Sequence, residues 1–397
     1  MRLEKSFIPD GGYWTTPFAR WQGALSERHS IQLAGEVAAG FLSGRGIEAG
    51  AFDGAVLGTT VTQRHGFYGA PWFAALAGAP KITGPTVSQA CATSARALAT
   101  AALEIEAGSR RAILVATCDR TSNGPHIYYP SRSGPGGHGR SEDPVLGNMN
   151  YDPYGGAAMT ETAENVAAEA GITKEEQDDL TLLRYEQYQD ALADDRAFQR
   201  RYMIPVALDP KKDGVASLEA DEGIYPTTAE GLARLRPVME GGTVTYGTQT
   251  HPADGNAGMI VCTREQAAEL SSGRGLTIQI LSYGEARTQK AFMPKAVVPA
   301  ARQALDRTGI TIEDCAAIKT HNPFAVSDIY FGREMGLSSE KVNNFGSPLI
   351  WGHPQAPTGM RAVIELIEEL ADRGGGYGLF TGCAGGDSAM AVVLKVS

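Results

Sequence analysis

Near-continuous apolar runs alternate with stretches of helical period along most of the chain. Residues 52–61 (FDGAVLGTTV), 111–118 (RAILVATC), 257–263 (AGMIVCT), 276–286 (LTIQILSYGEA), 315–321 (CAAIKTH), 377–383 (YGLFTGC) and 388–396 (SAMAVVLKV) read as strands. Runs with no polar alternation suit strands covered on both faces. Between them, residues 359–372 set Met360, Val363, Ile364, Ile367 and Leu370 on one stripe, with Arg361, Glu365, Glu368 and Asp372 largely opposite. That period predicts a helix, and Thr358 is its expected N-cap. Residues 295–309 predict another, closed by Gly309, and the alanine-rich run after Cys91 a third. Strands and helices in alternation predict an α/β protein.

The middle breaks this rhythm. Residues 120–157 are rich in Gly, Pro, Ser, Asn and Tyr, and an ordered loop of that length is usually functional. Polar helices over 158–170 and 174–194 follow, and strand–helix alternation resumes near 242. Residues 120–248 are therefore read as an insertion. It separates 1–119 from 249–272, which together make an N-terminal half; residues 273–397 make a C-terminal half. A weak internal echo supports two halves: SQACATSARALATAALEIEAGSRRAILVATC (88–118) and WGHPQAPTGMRAVIELIEELADRGGGYGLFTGC (351–383) both run from a chemically active residue through a helix to a strand ending in Cys.

Composition narrows the function. A 397-residue chain with 43% hydrophobic and 20% charged residues is an ordinary globular protein of two or three packed units. A net charge of −10 argues against nucleic-acid binding, which needs a basic footprint. The apolar runs fall short of the roughly 20 residues that span a bilayer, and the N-terminus MRLEKSFIPDGGYW carries charge where a signal peptide is apolar. A cytoplasmic protein with no membrane span is expected. The five cysteines contain no C-x-x-C, so no metal is expected, and their odd number and wide spacing argue against a disulfide framework. Cys118, Cys262 and Cys315 lie in or beside strand-like runs and are expected to be buried and inert.

Four places carry candidate chemistry: Cys91 ahead of its helix, HNPF at 321–324, GHP at 352–354, and GCAGGDSA at 382–389. Taken singly, each has a plain structural reading, since free cysteine is more often a small core residue than a nucleophile. Together they suit thioester chemistry. A thiolate is the reactive form of cysteine, and its pKa falls at a helix N-terminus or beside histidine. A second cysteine serves as acid or base, and glycines beside it leave backbone N–H groups to hold an oxyanion.

In order and spacing, these motifs resemble the thiolases along nearly the whole chain. TPFARWQGAL (16–25) resembles the family's opening R-T-P-F-G-x-x-x-G-x-L, and QACATSARA its nucleophile segment. TAENVA (162–167) and GTVTYGTQTHPADGNAG (242–258) are similar to its helix after the loop and its T-A-G-N-x-S…D-G-A-A stretch. VNNFGSPLIWGHPQAPTGMR (342–361) and GCAGGDSAMAVVL resemble N-x-x-G-G-x-x-x-x-G-H-P-x-G-x-S-G-x-R and the closing C-x-G-G-G-x-G-x-A. The resemblance implies five layers, α-β-α-β-α, built from two similar mixed-sheet halves with an inserted loop domain. It implies that Cys91 accepts an acyl group, that His353 activates it, and that Cys383 moves a proton on the α-carbon. One oxyanion hole would be the backbone N–H groups of Cys91 and Gly385; His353 and His321 would serve the other. Coenzyme A would be a substrate, with no permanently bound cofactor. A homodimer or higher assembly is expected, with an accessory subunit as an alternative.

The departures are specific. His321-Asn322-Pro323-Phe324 stands where many members have N-E-A-F, and His at the first position resembles the sterol-carrier-type branch. Asp387 replaces a common glycine and either makes a turn or tightens the pocket. Ala158 and Tyr225 stand where many members have a histidine and an arginine near the acyl and nucleotide ends. Arg200, Arg201, Lys211, Lys212, Arg234 and Arg236 are candidates to replace the lost charge on CoA phosphates, with a solvated surface as their alternative. Thr250 and Tyr151 are further candidate contacts. His126, Tyr128, Tyr129, Tyr151 and Tyr154 either pack the loop itself or stack on the acyl group. Three activities stay open: a thiolase that cleaves or forms 3-oxoacyl-CoA, a ketoacyl-synthase-like condensing enzyme, and a thiolase-fold subunit that supports a partner.

Overall fold

The computed structural model describes residues 1–397, apart from the side chains of Lys212 and Asp213. Its frame is one mixed sheet with helices on both faces. The main elements are β1 (Phe7–Ile8), α1 (Ser30–Gly44), β2 (Gly54–Gly58), α2 (Gly69–Leu76), β3 (Thr86–Val87), α3 (Thr93–Glu106), β4 (Ala112–Arg120), α4 (Met159–Ala170), α5 (Lys174–Arg196), β5 (Ala253–Cys262), β6 (Ile278–Arg287), α6 (Val297–Asp306), β7 (Cys315–His321), α7 (Ala325–Met335), α8 (Ala356–Asp372), β8 (Gly376–Ala384) and β9 (Ser388–Val396). The strand order is β7-β8-β9-β6-β1-β5-β4-β2-β3. Short β1 joins the halves, pairing antiparallel with both β5 and β6.

Each half repeats one pattern, a parallel pair followed by an antiparallel strand: β2–β4–β5 and β7–β8–β9. The echo in the sequence therefore corresponds to α3 leading into β4 and α8 leading into β8. Alternate residues along the strands face different cores. Leu57, Leu114 and Ile260 face outward on α1 and α2. Leu281, Leu379 and Val393 face outward on α6 and α7. Val56, Val115 and Met259 of one half and Ile280, Phe380 and Val392 of the other enclose α3 and α8. Helix–sheet–helix–sheet–helix gives five layers, with α3 and α8 in the middle.

The central position changes the meaning of the α8 sequence. Its charged face does not meet solvent: Arg361, Glu365, Glu368 and Glu369 are all buried. Arg361 forms a bidentate pair with Asp221 at 2.7 and 2.8 Å and a third bond to Glu365 at 2.9 Å. Its guanidinium also lies over the rings of Phe18 and Trp351. Tyr202 donates to Glu365 at 2.8 Å. Asp221 and Tyr202 come from the stretch between β4 and β5, so a pattern that suggests a surface helix instead clamps that stretch to the core. Nor is Thr358 the N-cap: the helix starts two residues earlier, after Gln355.

Both β4 and β5 are open to the insertion at one end, because Arg120 pairs beside Asp254. The chain thus leaves and re-enters the sheet at the C-terminal end of β4. Parallel β3, β2 and β4 all point to that end, as do β7 and β8 in the other half. Ligands bind in α/β sheets at such carboxyl ends. Among the described residues, no helix is long and apolar enough to cross a membrane.

Arg361→Leu is expected to lower unfolding stability by about 3–5 kcal/mol, because it strands the buried Asp221 and Glu365 carboxylates. Chemical denaturation measures this; a loss below about 1 kcal/mol would show that the clamp is dispensable.

Candidate active site

Cys91 sits on a tight turn between β3 and α3. Ala90 has φ of 43°, an uncommon left-handed value for a residue with a Cβ. Thr93 holds the turn: its hydroxyl accepts from Gln89 N–H at 2.8 Å and donates to the Ala90 carbonyl at 2.6 Å. His353 arrives from the other half, on the loop before α8, and its backbone N–H donates to His251 O at 2.8 Å. The first turns of α3 and α8 touch, with the Ser94 hydroxyl donating to the Ala356 carbonyl. Gly359 allows this approach, since a Cβ there would lie 3.1 Å from both Ser94 Cβ and the Phe380 ring.

As a result His353 Nε2 lies 3.1 Å from Cys91 Sγ, and His353 Nδ1 lies 2.7 Å from Thr358 Oγ1. His321 ends β7 directly behind, its ring centroid 4.3 Å from that of His353. It is fully buried, and among the described residues neither ring nitrogen has a hydrogen-bond partner. Donor atoms of Cys91, His321 and His353 all fall within 4.8 Å of one another. Asn322 holds this loop, donating to Asp328 at 2.7 Å and Ser347 at 3.0 Å while accepting from Leu349 N–H at 3.2 Å. Cys383, near the end of β8, is buried with its Sγ 4.0 Å from the His321 carbonyl.

Burial dominates the electrostatics. It pushes the Cys91 thiol up to about 12, against the opposing pull of the Gly385 and Cys91 backbone N–H groups. It pulls His353 down to about 3, and His251 adds to that. Burial, then the neighbouring His353, draws His321 well below its ordinary value. Cys383 is raised by burial and then by Cys91. At neutral pH the resting pair is therefore thiol and imidazole. The thiol donates to Nε2, which leaves the ring proton on Nδ1, donating to Thr358. The helix N-terminus and histidine do not, by themselves, hold Cys91 as a thiolate in this site, because desolvation outweighs them.

Three further carboxylates organise the walls. Asp119 accepts from the backbone N–H groups of Thr60, Val61 and Ala356, each at 2.9 Å, fixing the start of α8. Asp387 has φ of 54° and accepts from Ala291 and Phe292 N–H at 2.9 and 3.0 Å. It therefore makes the turn and also braces the segment that presents Met293. Asp152, in the long loop, accepts from Gly386 N–H at 3.1 Å, linking that loop to the turn beside Gly385.

Cys91 and His353 line a cavity of about 440 Å³, together with Val145, Leu146, Met149, Met159, Met293 and Phe324. Trp21, Tyr246, Gln249 and Pro252 form its neck and are shared with an outer cleft of about 580 Å³ that includes Arg20, Tyr225 and His251. His321 and Cys383 lie in the wall behind the cavity lining.

Residues 12–265 match the family described as "Thiolase, N-terminal domain", and residues 276–396 match "Thiolase, C-terminal domain". The chain belongs to the thiolase family. It is 31% identical to an acetyl-CoA acetyltransferase of Chromobacterium violaceum, over 96% of this chain and 97% of that one. It is 30% identical to a 3-oxoadipyl-CoA/3-oxo-5,6-dehydrosuberyl-CoA thiolase of Escherichia coli, over 99% of this chain and all (100%) of that one. Among solved structures, a Bacillus anthracis acetyl-CoA acetyltransferase superposes with a TM-score of 0.91 at 27% identity, covering 100% of both chains. A human mitochondrial 3-ketoacyl-CoA thiolase, solved with CoA, has the same fold at a TM-score of 0.91 and 24% identity, covering 100% of this chain and 99% of that one.

Within this thiolase fold, the candidate CoA contacts divide. Thr250 lines the inner cavity. Arg234 and Arg236 are exposed beside Leu232 and Leu235, which line the outer cleft. Arg200 and Arg201 are not brought there. Residues 202–204 are hydrogen-bonded to Thr15, which carries both arginines to a separate pocket with Arg45 and Arg274. There Arg200 pairs with Asp195 and Arg201 with Asp372. Lys211 is exposed on a four-residue helix outside both cavities, and the Lys212 side chain lies outside the described residues. Tyr151 is exposed rather than cavity-lining, although its neighbour Asn150 does line the cavity. Cys118 and Cys262 are buried, whereas Cys315 is only half-buried. The three methionines and Asp152 escape a motif search because no local spacing marks them; Arg20 and Trp21 sit inside the TPFARWQGAL segment.

At neutral pH, the far-ultraviolet thiolate absorbance of the ligand-free protein is expected to equal that of Cys91→Ser. An additional full equivalent of thiolate in the unsubstituted protein would contradict the neutral pair.

Proposed function

We propose that this chain is an acyltransferase that cleaves a 3-oxoacyl-CoA with CoA, or runs the reverse Claisen condensation, through an acyl-Cys91 intermediate. The 3.1 Å contact between Cys91 Sγ and His353 Nε2 at the base of a substrate-sized cavity carries this reading. In cleavage, His353 Nε2 takes the Cys91 proton as sulfur attacks the 3-oxo carbon. The oxyanion is held by the N–H groups of Cys91 and Gly385. The C2–C3 bond breaks, and the thioester enolate is stabilised by His353 and His321. Cys383 gives its proton to C2, releasing acetyl-CoA, and then takes the proton of the incoming CoA thiol as that thiol attacks acyl-Cys91. The acyl–sulfur bond to Cys91 breaks, the acyl-CoA leaves, and the Cys91 sulfur recovers its proton from His353. A Cys383 of this kind favours the thiolase reaction over a ketoacyl-synthase-like one. His321 supports a place in the sterol-carrier-type branch.

In this reading residues 120–248 form the inserted acyl- and CoA-binding unit between the halves 1–119 with 249–272 and 273–397. Among the described residues, no Lys, Arg, Asp or Glu lines the inner cavity, which favours an uncharged, apolar acyl group of some bulk. An adipyl chain ends in a carboxylate, which would meet no cation there. Pantetheine would pass the Trp21–Tyr246 neck, with Thr250 beside it and Arg20, Arg234 and Arg236 near the phosphates. The open edge of β3, flanked by exposed Phe67 and Tyr68, supports at least a homodimer. Five free cysteines suit the reducing cytoplasm.

Initial-rate kinetics with a panel of 3-oxoacyl-CoAs tests the reading. Ping-pong behaviour is expected, and Cys91→Ala should lower kcat/KM on the order of 10³-fold or more. A branched or phenyl 3-oxoacyl-CoA should exceed 3-oxoadipyl-CoA by at least about tenfold in kcat/KM. Near-normal turnover in Cys91→Ala would overturn the mechanism, and a preference for the dicarboxyl substrate would overturn the acyl assignment.

A further inference from the structure

We propose that Cys91, His321 and His353 together bind one thiophilic divalent ion of the Zn²⁺ class, and that the bound ion sequesters the nucleophile. Among the described residues they are the one group of three His, Cys, Asp or Glu side chains whose donor atoms converge within 4.8 Å. Tetrahedral Zn²⁺ binds sulfur at about 2.3 Å and nitrogen at about 2.0–2.1 Å, which sets donors roughly 3.3–3.6 Å apart. Cys91 and His353 are already 3.1 Å apart. The two sides that involve His321 are no longer than 4.8 Å, so closing them requires a movement of its ring on the order of 1 Å.

His321 makes the site more than a cysteine–histidine pair. It is fully buried, and both of its ring nitrogens are unpartnered, so the ring is free to turn either one toward the ion without breaking a hydrogen bond. An asparagine at 321, as in N-E-A-F, would leave only two strong ligands. The orientation of His353 is also fixed, because Thr358 Oγ1 holds its Nδ1 at 2.7 Å and leaves Nε2 directed inward. One sulfur and two imidazoles select Zn²⁺, Co²⁺ or Cd²⁺ over Mg²⁺ and Ca²⁺, which take oxygen donors. Binding breaks the Cys91 S–H bond, forms a metal–sulfur bond and releases the proton to solvent, with no change of oxidation state. Three protein ligands leave the fourth position facing the cavity, open to water or to a small thiol such as that of CoA. No local spacing marks this site, because Cys91 lies 230 residues before His321 and His353 another 32 residues after it.

Co²⁺ titration of the chelator-treated protein tests the site without relying on turnover. One Co²⁺ per chain is expected, with a near-ultraviolet sulfur-to-cobalt charge-transfer band and intense visible bands, all abolished by Zn²⁺. Cys91→Ser should lose the charge-transfer band, and His321→Asn should weaken binding at least tenfold, with circular dichroism confirming that each variant is folded. In the unsubstituted protein, Zn²⁺ should protect Cys91 from iodoacetamide, as mapped by mass spectrometry, and a chelator should reverse the protection. Absence of the band, its survival in Cys91→Ser, unchanged affinity in His321→Asn, or alkylation of Cys91 at an undiminished rate would each overturn the proposal.

Discussion

Cys91 meets His353 because two helices from opposite halves of the chain begin at the same point between the sheets. The Ser94–Ala356 hydrogen bond joins their first turns, and Gly359 removes the side chain that would hold them apart. Everything chemical in the site depends on this junction. Thr358 orients the imidazole from within one helix, Thr93 holds the Cys91 turn at the start of the other, and Asp119 pins the first residue of α8. The buried Arg361–Asp221 clamp then ties the segment that forms the outer cleft to the same central helix. Stability and chemistry therefore share one element, α8, whose first turn contacts the site and whose later turns anchor the walls.

That architecture sets the charge state. A site closed enough to shelter an enolate is also dry enough to oppose charge separation, so thiol and imidazole rest uncharged. In the proposed reaction activation belongs to the moment of attack, when the developing oxyanion meets fixed N–H groups and the proton passes from sulfur to Nε2 across a 3.1 Å contact. His321 and Cys383 are buried in the same wall, where neutral forms are favoured before reaction. The acyl-facing side is supported by two carboxylates that never touch the cavity: Asp152 and Asp387 fasten the long loop and the Met293 segment to the turn that carries Gly385.

The fold was legible in the sequence where local period and motif agreed. Apolar runs located the long strands, the repeated helix-to-strand pattern recurs as α3–β4 and α8–β8, and the GHP and GCAGG segments lie beside the Cys91 turn. What was not legible depends on packing. The charges of α8 suggested a solvent face, because no local pattern reveals that Asp221 and Tyr202 fold back onto it. Thr358 looked like a cap, yet it serves His353. Arg200 and Arg201 read equally as phosphate contacts or as solvated surface, and strand-like pairing of their segment with Thr15 carries them to another face. The cavity methionines come from three separate segments, so only the fold brings them together.

The central claim is that Cys91 is the atom that becomes acylated. Incubating the protein with a 3-oxoacyl-CoA in the absence of free CoA, quenching in acid and mapping peptides by mass spectrometry tests it directly. The account predicts one acyl group per chain, on the peptide containing Cys91 and absent when His353 is replaced by alanine. An acyl group on Cys315 or Cys383, or rapid cleavage with no acyl-enzyme on Cys91, would contradict it.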